Sequence, residues 1–183
     1  MDNSKIKRGL RRSVILLLAV VLLIVALNSF YVVQANKYGI VRQFGAVVDV
    51  KDEPGLYFKV PFIQDYTTLP HTVLLYDVPV SELICADKTT LIADCFAIWE
   101  IEDPRLFIES LSGSMATAES RLNANIYNAL KTVMSAMTLE EIVSGRDGEV
   151  VTAIMDNIGN SFEKYGIHLI ATISTTQVFR IIH

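Results

Sequence analysis

The stretch TLIADCFAIWEIEDP, Thr90 to Pro104, decides the fold. Its first twelve residues, Thr90 to Ile101, are rich in aliphatic and aromatic side chains and read as one long strand. Its end, Asp103-Pro104, reads as the opening of a helix. Aspartate is a good N-cap, and proline suits the first helical position, where its missing N–H is not needed. Upstream of this junction the chain reads as strands. Downstream it reads as helices, with one closing strand. That order defines an α+β class, with helices packed on a mostly antiparallel sheet.

Downstream, Arg105 to Leu111 forms a short helix and Ala116 to Met137 a long one. In the long helix Leu122, Ile126, Leu130, Val133 and Met137 recur at helical spacing and face a core. Thr138-Leu139-Glu140-Glu141 is a capping box that restarts a helix. Ser144-Gly145 breaks it. A third long helix is expected from Asp147, its N-cap, to Tyr165. Val151, Ile154, Met155, Ile158 and Phe162 make its inner face, and Gly166 stops it. Ile167 to Val178 closes the domain as a strand.

Upstream, His71 to Leu83 reads as a second long strand, turning through Ala86-Asp87-Lys88-Thr89 into the strand at Thr90. With Asp87 and Lys88 as the turn residues, Cys85 faces Thr90 and Cys95 faces Val80. The two thiols are then not cross-strand partners, and a disulfide needs close Cβ atoms. Both read as small buried hydrophobes, with a bond in an oxidising compartment as the alternative. Tyr38 to Val50 reads as two short strands around a turn, and Asp52 to Gly55 as another turn. The run LYFKVPFI, Leu56 to Ile63, is strongly apolar and broken by Pro61. Its plain reading is a half-buried strand and loop. Its sharper reading is a patch of Leu56, Tyr57, Phe58, Val60, Phe62 and Ile63 that rests on a bilayer surface, since exposed apolar patches mark interaction sites.

From Ser13 to Val33 no residue is charged, and Val14 to Leu27 is unbroken Val, Ile, Leu and Ala. A helix over that span rises roughly 31 Å, about the thickness of a hydrocarbon core. The expected organisation is a basic cytoplasmic N-terminus over 1–12, a transmembrane helix over 13–33 and a domain over 34–183. The aromatic pair Phe30-Tyr31 suits the interface, and the basic cluster before it stays cytoplasmic under the positive-inside rule. The domain then lies on the periplasmic or extracellular side. A cleaved signal peptide is the competing reading, which the length of the apolar run and its bulky aromatics oppose. Both readings export the domain.

The 183 residues suit one ordinary domain plus a small appendage, and 51% of them are hydrophobic. The formal net charge of -4 conceals an asymmetry. Lys5, Lys7, Arg8, Arg11 and Arg12 precede position 13, with Asp2 the only acid among them. The remainder is clearly acidic and has no basic stripe, which argues against nucleic-acid binding. Two cysteines are too few for a disulfide scaffold. His71, His168 and His183 are scattered, no Gly-x-Ser-x-Gly elbow surrounds a serine, and no phosphate-binding loop or zinc spacing occurs. The sequence therefore names no catalytic, cofactor-binding or metal-ligating residue, and a function carried by surfaces is expected rather than an enzyme's.

Collinear motifs add a family resemblance. Tyr38 to Gly45 (YGIVRQFG) and Pro54 to Phe62 (PGLYFKVPF) resemble the opening strands of SPFH, or Band 7, domains, the family of stomatins, prohibitins, flotillins and the HflK/C proteins. Asp77-Val78-Pro79, Ala86-Asp87-Lys88, Trp99 to Pro104, Arg121-Leu122, Tyr127 to Leu130, Thr138 to Arg146 and Tyr165-Gly166-Ile167 resemble the HflC-like branch in order and spacing. The resemblance implies a single-pass anchor, an SPFH domain, contact with membrane lipids, and assembly with an HflK-like paralogue around an FtsH-type AAA protease whose substrate access is modulated. A stomatin- or prohibitin-like organiser of membrane domains is the alternative. A membrane-bound peptidase is a further one, for which the chain offers no nucleophile. Family members continue past the last strand into a basic-Ile-x-Leu-Pro segment and a long charged helix. This chain reads QVFRIIH over Gln177 to His183. The expectation is therefore that the coiled coil is absent and that homo- or hetero-oligomerisation, usual in the family, is impaired.

Overall fold

A computed structural model describes residues 3–144 and 148–174, with side chains over 15–142 and 148–172. In chain order the elements are α1 (Asn3–Asn28), β1 (Phe30–Val33), β2 (Lys37–Gln43), β3 (Ala46–Lys51), β4 (Gly55–Phe58), β5 (Gln64–Pro70), β6 (Leu74–Ile84), β7 (Thr90–Ile101), α2 (Pro104–Leu111), α3 (Met115–Ala136), α4 (Leu139–Ser144), α5 (Glu149–Ile158), a 3-10 turn (Glu163–Tyr165) and β8 (Ile167–Ser174). Two units divide the chain, Met1–Leu69 and Pro70–His183. The mixed α+β class is as expected. The strands, however, form three small sheets, ordered β1-β4, β3-β2-β5 and β6-β7-β8.

In the second unit β7 is the central strand, antiparallel to β6 on one side and β8 on the other. Its pleat sends Leu91, Ala93, Cys95, Ala97, Trp99 and Ile101 to one buried face. The helices lie over that sheet, α3 against β6 and α5 against α3 and β8. Leu122, Ile126, Leu130 and Val133 are buried as the spacing predicts. Met134 completes the stripe in place of Met137, because α3 ends at Ala136. Each large aliphatic or aromatic side chain buried here contributes about 1.5–3 kcal/mol.

The helix starts follow the capping chemistry. The Asp103 carboxylate accepts from the N–H groups of Arg105 (2.9 Å) and Leu106 (3.0 Å). Thr138 N–H donates to Glu141 Oε2 at 2.8 Å, and Glu141 N–H returns to Thr138 Oγ1 at 3.3 Å. Asp87 has a role that spacing did not reveal. Its Oδ1 accepts from Thr89 N–H (3.0 Å) inside the β6–β7 loop, and its Oδ2 accepts from Leu139 N–H (3.3 Å) at the start of α4. One carboxylate thus ties a hairpin loop to a helix terminus. Gly166 takes φ 68°, and its carbonyl accepts from the N–H groups of Glu102 and Asp103. A Cβ there would lie 2.2 Å from the Asp103 carbonyl oxygen, so only glycine fits.

Three expectations are corrected. The β6–β7 register differs: Cys95 stands opposite Val78 rather than Val80, and Ile84, not Cys85, faces Thr90. Two one-residue shifts add: the β6–β7 loop takes five residues, Cys85 to Thr89, and a bulge between Val78 and Ser81 spends an extra β6 residue at Pro79-Val80. Proline has no N–H for a ladder, and β6 is an edge strand, where such a bulge is tolerated. The third helix is shorter than its periodicity suggests, because Gly159 (φ 47°) ends α5 and Phe162 reaches the core from beyond the break. The expected N-cap Asp147 and the end of the last strand at Val178 lie outside the described residues. Third, the apolar helix stops at Asn28, and the end of the expected 13–33 span, Phe30–Val33, is strand β1. Asn28 Nδ2 and Ser29 Oγ bond back to the carbonyls of Ile24 and Val25, at 2.9 and 2.8 Å, as the helix finishes. Among the described residues no helix is long and apolar enough to cross a membrane.

In the first unit β1 pairs with β4, and β2 with β3, antiparallel in both cases. Tyr31, Val33 and Val41 form its buried cluster, with Tyr57 and Tyr66 packed against them. The Tyr31 ring lies 4.4 Å from that of Tyr66 and 5.8 Å from that of Tyr57, centroid to centroid. Tyr66 Oη donates to the Val32 carbonyl at 3.0 Å, joining β5 to β1 across the two sheets. Gly39 allows the close approach, since a Cβ there would meet Val33 Cγ2 at 2.4 Å.

Candidate functional site

Strand alternation sorts the apolar run at 56–63 into two sets. On β4, Leu56 and Phe58 point outward and are exposed, while Tyr57 turns inward to the Tyr31 ring. Val60, Phe62 and Ile63, in the loop that follows, are exposed as well. Of the six residues expected to make a surface patch, five share the exposed surface. Tyr57 is partly buried against that core, and its hydroxyl donates to the Glu53 carbonyl at 3.1 Å.

The register adds residues that sequence reading missed. Phe30 faces Phe58 and Val32 faces Leu56 across the ribbon, and both Phe30 and Val32 are exposed. The Phe30 and Phe58 rings meet edge to face at 6.0 Å. The alternation of Phe30-Tyr31-Val32-Val33 was the available signal, hidden because the apolar run of α1 flows directly into it. The ribbon is also fastened to the helix end, since Lys59 N–H donates to the Ser29 carbonyl at 2.7 Å. Leu22, Leu23 and Leu27 of α1 are exposed in turn.

Two loop tips bear the most exposed aromatic residues of this unit. Phe44 is 87% exposed and Phe62 is 88% exposed. Both have left-handed backbone, φ 51° and 68° respectively. That conformation costs roughly 1–2 kcal/mol in a residue with a side chain. Phe44 and Gly45 form the two-residue β2–β3 turn, a position where Asn, Asp or Gly is the usual first residue. Gln64 organises the other loop: its N–H donates to the Val60 carbonyl (3.0 Å), and its Oε1 accepts from Val60 N–H (2.7 Å). Gln64 Nε2 donates to Gln43 Oε1 at 3.3 Å, which brings the base of one loop to the base of the other.

The second unit carries thiols in surroundings opposite to those of a nucleophile. Cys85 and Cys95 are free and buried. Burial, then the Asp94 and Asp77 charges, pushes the Cys95 thiol up to about 11. Burial and Asp87 raise Cys85 too. An activated cysteine needs the reverse shift. His71 precedes β6 and Cys85 follows it, so the length of an eleven-residue strand, about 35 Å, lies between them. His168 faces Glu100 on β8, away from the buried face that holds Cys95. His183 lies outside the described residues. An open cleft of about 450 Å³ beside Cys85 is lined partly by Tyr127 and Lys131 and brings no histidine to the thiol. Among the described residues no group of three His, Cys, Asp or Glu side chains could hold a metal ion.

The fold and its surfaces define an α+β domain whose first unit carries exposed apolar side chains. The chain matches the model of the SPFH domain / Band 7 family over residues 31–180, and it belongs to that family. It is similar to the protein named Modulator of FtsH protease HflC from Escherichia coli (strain K12), 27% identical over 158 residues, covering 82% of this chain and 47% of that protein. It is similar to Protein HflC from Vibrio cholerae, 32% identical over 139 residues, covering 72% of this chain and 43% of that one. It is also similar to Protein HflC from Buchnera aphidicola (subsp. Acyrthosiphon pisum), 26% identical over 171 residues and covering 55% of that protein. The chain therefore spans about half the length of the curated relatives it matches.

Proposed function

We propose that this chain is a membrane-anchored scaffold that modulates an FtsH-type AAA protease in company with an HflK-like paralogue, and that it acts through surfaces rather than as an enzyme. The observation that carries the reading is the match to HflC proteins across the whole SPFH domain, one of them named for modulating that protease. The buried, proton-holding thiols agree with a non-catalytic role.

In this reading the apolar N-terminal segment anchors the chain in the cell membrane with the basic N-terminus in the cytoplasm, and the domain lies on the periplasmic or extracellular side. The exposed residues Leu56, Phe58, Val60, Phe62 and Ile63 then rest on the lipid next to the end of α1, held there by the Lys59–Ser29 hydrogen bond. The test is cross-linking and recovery of the tagged full chain from native membranes. Co-recovery of an HflK-like protein and an AAA protease is expected. Recovery of membrane lipid and the chain without either protein would overturn the protease-modulator reading in favour of a stomatin-like organiser.

A further inference from the structure

We propose that the outer edge of β6, over Glu82 to Ile84, takes up an extended peptide segment of another protein, which adds a strand to the sheet and lays its side chains in the groove between β6 and α3. The inference lies wholly within the second unit and stands apart from the reading of the N-terminal segment.

The hydrogen-bond pattern of the hairpin fixes which backbone groups face outward. Cys85 N–H donates to the Thr89 carbonyl at 3.0 Å, and Ile84 stands opposite Thr90. Bonded and non-bonded pairs alternate along an antiparallel ladder, so Ile84–Thr90 and Glu82–Ile92 are non-bonded pairs. The N–H and C=O groups of Glu82 and Ile84 therefore point away from β7. β6 is the edge of its sheet, and among the described residues none of these groups has a partner. Natural sheets blunt such edges with lysine, proline or a bulge. β6 does so at Pro79-Val80 and leaves the stretch beyond it, from Ser81 to Ile84, in regular register.

A cleft of about 450 Å³ runs along this stretch. One wall is the consecutive run Glu82 to Ala86, and the other is Tyr127, Lys131 and Ser135 of α3. Those three recur every fourth residue and so form one row along the helix. Leu83 and Cys85 are buried and give the cleft an apolar floor. Ala86 N–H donates to the Met137 carbonyl at 2.9 Å, which holds the end of the strand against the end of the helix. A strand edge with outward backbone groups beside a helix-walled groove is the geometry of strand addition: the backbone supplies affinity, and alternate side chains enter the groove.

The groove also selects the chemistry of its occupant. Lys131 is exposed on the helix wall, and among the described residues it pairs with no carboxylate. The segment that fits carries an apolar side chain over Leu83 and Cys85 and, two residues along on the same face, a carboxylate that reaches Lys131.

Random peptides displayed on phage are selected against the full chain, and the enriched sequences are synthesised with a fluorescein label for anisotropy titration. Apolar and acidic residues at alternate positions are expected. Ile84→Pro removes one outward N–H without touching the ladder to β7 and is expected to weaken binding about tenfold. Ile84→Thr keeps that N–H and leaves binding nearly unchanged. Lys131→Glu, on an exposed helix face, leaves the backbone alone; it weakens the acidic peptides about tenfold and spares their amide counterparts. Absence of enrichment, or equal affinity for the parent chain, Ile84→Pro and Lys131→Glu, would overturn the proposal. Enrichment of basic peptides would overturn the chemistry assigned to the partner. A dimer of the full chain that Ile84→Pro dissociates in sedimentation, with no peptide able to compete, would give the edge to a second copy and overturn the peptide site.

Discussion

β4 and β7 are both strands whose side chains alternate, and they aim their apolar residues in opposite directions. β7 lies between two partners, and the residues on its inner face, from Leu91 to Ile101, are buried on the helix side of the sheet. β4 has one partner, and it points Leu56 and Phe58 to the outside while a tyrosine turns in. Period-two alternation says which residues share a face. It does not say which face is inside. In the second unit apolar side chains hold the fold together. In the first unit many of them are exposed, and the buried cluster of Tyr31, Val33 and Val41 is flanked by the partly buried rings of Tyr57 and Tyr66, whose hydroxyls donate to backbone carbonyls.

The largest expected effect separates those two uses. Trp99→Ala empties the most voluminous buried site of the second unit and destabilises the chain by about 3–5 kcal/mol. Phe62→Ala, at an exposed tip, changes stability by no more than about 0.5 kcal/mol. Urea unfolding of the two variants under one set of conditions measures the contrast, and equal losses would break it. Gly166→Ala comes next. The added methyl collides with backbone at Asp103 in left-handed geometry, and a loss of at least ~2 kcal/mol is expected from the same unfolding curves.

Asp103→Ala removes the cap of α2 and is expected to lower stability by about 1 kcal/mol, with Asp103→Asn recovering most of it. The smallest effect is a pH dependence confined to the second unit. Backbone N–H donors, from Thr138 and Thr89 respectively, hold the carboxyls of Glu141 and Asp87 below their ordinary values of 4.5 and 3.8. The folded state therefore binds these protons less readily than the unfolded chain. Their contribution is fully present above those values and is lost as pH falls through the lower folded ones. Unfolding midpoints followed downward from neutral pH should decline below about 4.5, and Glu141→Gln should make that decline shallower. An unchanged slope in the variant would remove Glu141 from the account.

Local chemistry explains which features were legible. Asp103-Pro104, the Thr138–Glu141 box and the Leu122 to Val133 stripe act within one or two helical turns, so their spacing alone identifies them. The β6–β7 register was misread because the loop takes five residues, Cys85 to Thr89, and because a bulge at Pro79-Val80 shifts the ladder by one more; a bulge is a property of the pair rather than of one strand. Asp87 was legible as a turn residue but not as a cap on α4, because Leu139 lies 52 positions away. The apolar surface was read from Leu56 to Ile63, but Phe30, Val32 and Phe44 joined it only through cross-strand pairing and turn geometry.

By itself the sequence determined the α+β class, the starts of α2 and α4, the burial of both thiols, and the family through motifs in a fixed order. Each depends on contacts between near neighbours or on chemistry intrinsic to the residue. Only the tertiary structure decided that the apolar helix gives way to a strand at Phe30, that Tyr57 turns in while Leu56 and Phe58 turn out, and that two exposed phenylalanines share one end of a sheet. The physical reason is that burial is relational: a side chain is inside only when another element covers it, and which element does so depends on pairings that no single segment contains.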